Sequence, residues 1–129
     1  MAVRYPYMRS NVLSAVTMIA HARDENYWTS EKHLSSYSPG LCIEILYDLC
    51  DVFPRPIDAV GTVIYANEVS AFNGLFVLYD PLVDDSEVND GEGQTGDPRW
   101  PAAEAAARDV MRKMIENNYV NADFTWLLG

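Results

Sequence analysis

Ser38-Pro39-Gly40 is the clearest helix start in this chain, and Pro54 is its stop. Ser38 can accept a backbone N–H as N-cap, and Pro39 suits the first helical position, where no N–H is needed. Pro54 cannot continue a helix and disfavours helical backbone in the residue before it. Between them Leu41, Cys42, Ile45, Leu46, Leu49, Cys50 and Phe53 recur at helical spacing, which predicts a buried face. Glu44, Asp48 and Asp51 fall on the other side at i, i+4 and i+7, as a stripe of carboxylates.

The same helix decides how the cysteines read. Cys42 and Cys50 are the only two, and eight residues separate them. At a rise of about 1.5 Å per residue their Cα atoms lie about 12 Å apart, too far for a disulfide. They read as buried thiols, which suits a reducing compartment, so the expected location is cytoplasmic. Arg4, Pro6 and Arg9 interrupt the N-terminal segment, which therefore lacks the apolar core of a signal peptide. No apolar run approaches the ~20 residues of a membrane span, so no membrane association is expected.

The remaining elements are less sharply marked. Val12, Leu13, Val16, Ile19 and Ala20 predict a helix over Asn11–Asp24, with Ser10 as N-cap. Thr29–Tyr37 is polar and has room for a short helical turn. The β-branched run Val60–Tyr65 predicts a strand. The nearly continuous apolar run Leu75–Tyr79 predicts a second strand, buried on both faces. Asn73-Gly74 before it suits a type I′ turn, although it would equally cap a helix over Asp58–Phe72. A last helix is predicted from Asp97 or Trp100 to about Asn118, with Ala103, Ala106, Val110, Met114 and Met111 inward. On it Glu104, Arg108, Arg112 and Glu116 form an i, i+4 ladder that reads as solvated surface. The apolar segment Phe124–Leu128 is expected to dock on the core. The fold class expected is α+β, about three helices on a small β-sheet, with all-α as the alternative. At 129 residues the chain reads as a single globular domain over 1–129, with an acidic Gly-rich loop at 83–96.

Charge is distributed unevenly. From Glu44 to Asp97 there are twelve carboxylates against one cation, Arg55, for a net of −11, whereas the whole chain carries −10. The density peaks at Asp80, Asp84, Asp85, Glu87, Asp90, Glu92 and Asp97. A field of one sign draws basic partners and repels polyanions, so no direct contact with nucleic acid is expected.

Motifs that carry chemistry fail on context. Gly91-Glu92-Gly93-Gln94-Thr95-Gly96 spells G-x-G-x-x-G, but carboxylates surround it and no βαβ unit follows. Aligning an EF-hand on Gly91 puts Ser86 and Val88 at ligand positions, which excludes that pattern and leaves the acidic loop only a weak, non-standard cation site as an alternative. His21 and His33, the only histidines, have no ligand spacing with each other or with the cysteines. No catalytic residue, cofactor or metal is therefore expected.

The pattern points to a small acidic, non-catalytic protein that masks a basic partner protein, of the toxin-immunity or phage anti-defence/DNA-mimic type. The likeness is one of charge alone. The expected contact residues are Glu44, Asp48, Asp51, Asp80, Asp84, Asp85, Glu87, Asp90 and Glu92, with Tyr47, Tyr65 and Tyr79 at the margins. The alternative is a small-molecule-binding or enzymatic domain, with its pocket among the aromatics and His21 or His33. A third reading is a structural or assembly subunit. The sequence leaves the oligomeric state open.

Overall fold

The computed structural model describes residues 3–24, 27, 37–85 and 91–121, with backbone alone at 91, 92 and 121. Among these residues the fold is all-α and contains no strand. The expected α+β architecture with a small sheet is therefore wrong, and the all-α alternative fits. Helix α1 spans Pro6–Ala20, α2 Pro39–Ile43, α3 Val69–Asp84, α4 Gly91–Thr95 and α5 Trp100–Asn121. Helix α5 is the spine, and α1 and α3 pack along it more extensively than any other pair. The expected end segment Phe124–Leu128 and the polar stretch before Tyr37 lie outside the described residues.

Helix α1 begins five residues earlier than the expected Asn11, because Pro6 occupies the first helical turn. Ser10 is consequently exposed helix interior rather than a cap. The early start also adds Arg9 to the inward face of Val12, Val16 and Ile19.

Helix α2 starts as its sequence predicts, with Ser38 Oγ accepting from Leu41 N at 3.4 Å and Pro39 in the first turn. It then widens into a π turn over Glu44–Leu49. Cys50 N donates to Ile45 O at 3.0 Å, and the N–H groups of Val52 and Phe53 both reach Leu46 O at 2.9 Å. The wider turn seats Cys50, not Leu49, above Ile45. Leu49 is 58% exposed and Leu41 44% exposed, so the expected apolar face is only partly buried. Cys42, Ile45, Leu46 and Cys50 form the face that enters the core. Asp51, at φ +50°, ends the segment in the left-handed region, which Asp tolerates better than most residues.

Neither expected strand forms. A strand needs a partner to satisfy its backbone, and among the described residues this run makes only an isolated bridge between Val60 and Ile64. Val60–Tyr65 instead wraps around one carbonyl: Ala59 O accepts from the N–H groups of Thr62, Val63 and Ile64 at 3.0–3.3 Å. Gly61 takes φ +87° to make that turn, a conformation open to glycine. Val63 and Ile64 are buried, so their bulk serves packing without a sheet. The N-terminal chain closes over the turn through Arg4 N to Gly61 O and Tyr5 N to Thr62 O, both 2.8 Å.

Leu75–Tyr79 lies inside α3. Phe72, Leu75, Tyr79 and Leu82 are buried at helical intervals, while Val77 is 63% exposed. The apolar run masked this periodicity. Asn73 and Gly74 continue the helix rather than turning it. Within the expected acidic loop at 83–96, Val83 and Asp84 finish α3, and 91–95 form α4. Gln94 anchors α4 in the core: Tyr37 Oη donates to Gln94 Oε1 at 2.6 Å, and the Tyr37 and Tyr79 hydroxyls lie 2.6 Å apart. Trp100 packs against both tyrosine rings.

Candidate functional site

The acidic surface has its seam at Tyr47. This ring stands on the π turn, packs edge-on against Phe53 at 5.4 Å and meets Phe76 of α3 at 6.5 Å. Its hydroxyl donates to Asp80 Oδ1 at 2.8 Å. Burial, this bond and the charges of Asp80 and Asp84 together push the Tyr47 phenol well above its usual range. The π turn and the C-terminal half of α3 are thus held side by side, each presenting carboxylates. Glu44, Asp48 and Asp51 are exposed on one element, and Asp84 is exposed on the other. Leu49 and Val77 interrupt the charges with exposed apolar side chains.

Several expected contact residues stand differently. Asp80 is half-buried and committed to Tyr47. Asp85 lies 3.3 Å from Arg99 Nη2. Asp97 takes the Arg99 side chain and backbone N–H at 2.8–2.9 Å, and those bonds hold its carboxyl at about 2. Glu87 and Asp90 lie outside the described residues, and Glu92 is described only as backbone in α4. Of the three tyrosines expected at the margin, only Tyr47 is there. Tyr79 is fully buried, and Tyr65 lies under the Arg9 guanidinium at 4.6 Å from its ring centroid.

The strongest polar constellations were not foreseen. Arg9, 4% exposed, grips the fully buried Glu68 with two parallel bonds of 2.6 and 2.7 Å. Arg9 also donates to Asn118 Oδ1, Val63 O and Met114 O. Glu68 accepts further bonds from Tyr65 N and Asn117 Nδ2. Both charges are saturated, the condition under which a buried ion pair is tolerated. The clue was register: Arg9 precedes Val12 by three and Val16 by seven, on the face that becomes core. Glu104, expected as solvated surface, is 6% exposed. Arg23 Nε and Trp100 Nε1 donate to its Oε2 at 2.7 and 3.0 Å, and Arg108 Nη2 donates to its Oε1 at 3.0 Å.

Among the described residues, the groups expected for the enzymatic alternative form no cluster. His21 follows α1, stacks on Tyr27 at 4.3 Å and faces Asp24 at 3.4 Å. His33 lies outside the described residues. Burial pushes the Cys42 thiol up to about 12, so it is no thiolate near neutrality. Cys50 is likewise buried and shifted upward by burial. Among the described residues no group of His, Cys, Asp and Glu is placed to hold a metal ion. No helix among them is long and apolar enough to cross a membrane. A groove of about 530 Å³ runs between α3 and α5, floored by Ser70, Ala71, Gly74 and Ala106 and rimmed by charges of both signs. Comparison with protein-family models, with curated proteins and with solved structures gives no match.

Proposed function

We propose that this chain is a non-catalytic binding protein that masks a basic surface of a partner protein. Inhibitors of the toxin-immunity or anti-defence type, including mimics of DNA charge, share this physics. The reading rests on one observation. The Tyr47–Asp80 bond draws two carboxylate-bearing elements together, and Glu44, Asp48, Asp51 and Asp84 on them have no ion-pair partner among the described residues. Unpaired surface carboxylates add little to stability, so their presence on two adjoining elements is better explained by an external cation. The exposed Leu49 and Val77 supply apolar contact within that field.

The experiment is association kinetics against the basic protein that co-purifies from the native host. Reversing Glu44, Asp48 and Asp84 to lysine slows the on-rate, and added salt narrows the gap between variant and parent as screening shortens. Reversing Asp109 on α5 serves as the control. An on-rate indifferent to both salt and the triple reversal sinks the proposal.

A further inference from the structure

A second, unrelated polar site lies where the end of α1 meets the start of α5. Glu104 sits there with both carboxylate oxygens occupied, by Arg23 and Trp100 on one and Arg108 on the other. The carboxylate is buried, whereas the Arg23 and Arg108 side chains are 45% and 50% exposed. Each arginine gives one N–H to Glu104, and its remaining donors meet no acceptor among the described residues. Arg23, Arg108, Glu104 and Asp24 line a cleft of about 420 Å³. Asp24 is occupied at its edge, accepting from Tyr27 N at 3.2 Å and facing His21 at 3.4 Å.

We propose that this cleft is an oxyanion-binding site, in which Arg23 and Arg108 together take a carboxylate or phosphate group. Glu104 positions the arginines rather than competing for the ligand. It cancels one guanidinium charge, both its oxygens are already used, and it fixes two long side chains before any ligand arrives. Prior ordering lowers the cost of binding, because flexible arginines otherwise lose rotamer freedom on contact. The guanidinium fork suits an anionic oxygen pair better than any other ligand class. With Glu104 counted, the two arginines leave one unit of positive charge, which Asp24 on the cleft wall offsets, so the fit is to a singly charged group. Asp24 at the rim and the chain's net charge of −10 oppose a more highly charged one.

The test is a titration of the full chain with sodium acetate and, separately, sodium phosphate, each against sodium chloride at matched ionic strength and pH. The readouts are the NMR signals of the Arg23 and Arg108 Nε–H groups and the Trp100 indole N–H. Saturable shifts at these three signals are expected, with a midpoint in the millimolar range. The Arg112 signal, from an arginine exposed elsewhere on α5, should follow the chloride control. The anion that saturates identifies the ligand class. R23Q and R108Q should each raise the midpoint roughly tenfold at the signals that survive, as expected for loss of a charge-assisted donor. R112Q should leave it unchanged. Shifts in the parent chain that never saturate, or that chloride reproduces, overturn the proposal before any variant is made. An unchanged midpoint in folded R23Q overturns it as well.

Discussion

Glu68 and Asp48 belong to the same acidic stretch of sequence and stand in opposite electrical situations. Glu68 is fully buried, with each oxygen accepting two bonds and Arg9 clamped on it. Asp48 is exposed and has no ion pair among the described residues. Glu68 borrows its cation from outside the acidic window, Arg9 of α1, and Glu104 of α5 likewise draws Arg23 from the turn after α1. On the exposed surface Arg99 takes Asp85 and Asp97, whereas Glu44, Asp48, Asp51 and Asp84 have no ion pair among the described residues. Buried carboxylates such as Glu68 and Glu104 therefore hold elements together, while exposed ones such as Asp48 stay available.

That contrast breaks first if the inner pair proves dispensable. Glu68→Gln, or Arg9→Met alone, should cost about 3–5 kcal/mol, because each leaves a buried charge uncompensated. Arg9→Met combined with Glu68→Leu should recover much of that loss. Urea denaturation of the three variants gives the answer, and a single-variant cost below ~1 kcal/mol would mean the pair is incidental.

The next comparison lies within one short element. Leu46→Ala should cost about 2–5 kcal/mol as a core truncation. Leu49→Ala, on the solvent side of the π turn, should stay near or below ~1 kcal/mol. Equal costs would mean that the segment winds as a regular helix in solution.

Glu104 offers a smaller, pH-dependent effect. Burial raises its carboxyl pKa, but the bonds from Arg23 and Trp100 and the charge of Arg108 outweigh that and hold it below its ordinary 4.5. Its stabilisation is therefore complete above the unfolded value and is lost as pH falls through the folded one. Glu104→Gln should cost about 1–2 kcal/mol at neutral pH. The difference from the parent should close in acid, below pH 4.5, as melting curves across pH would show.

Smallest of all should be the effect of charge reversal on the outer face. Asp48→Lys and Asp84→Lys should each change stability by no more than about 0.5 kcal/mol. A large loss at either would place these carboxylates in the architecture and remove them from the binding surface.

Much of the helical framework was legible. Ser38-Pro39 capped a helix where expected, and the cysteines are buried thiols. The exposure of Glu44, Asp48 and Asp51 followed from their spacing. What misled was residue type taken without a partner. The β-branched Val60–Tyr65 looked like a strand because such residues favour pleated surfaces, yet that preference acts only when a sheet exists to receive them. Leu75–Tyr79 looked strand-like because Val77 and Leu78, exposed in the helix, are as apolar as the buried residues around them. The charged ladder on α5 looked solvated because nothing local showed that Arg23 would cross to Glu104.

The sequence by itself determined where the Ser38-Pro39 helix starts, which carboxylates share its outer face, and that negative charge would collect in one stretch. Those are properties of neighbours within a few residues, set by caps, prolines and the 3.6-residue period. Only the tertiary structure decided which charges are paired. Arg9 and Glu68 are fifty-nine residues apart and meet because α1 and the turn before α3 both pack on α5. It also decided that Leu49 faces water, because the backbone of Ile45 bonds to Cys50 in a π turn that no local periodicity announces. An ion pair or an extra residue in a turn is favourable only when distant groups are already in place to desolvate and saturate it, and that condition belongs to the packed molecule.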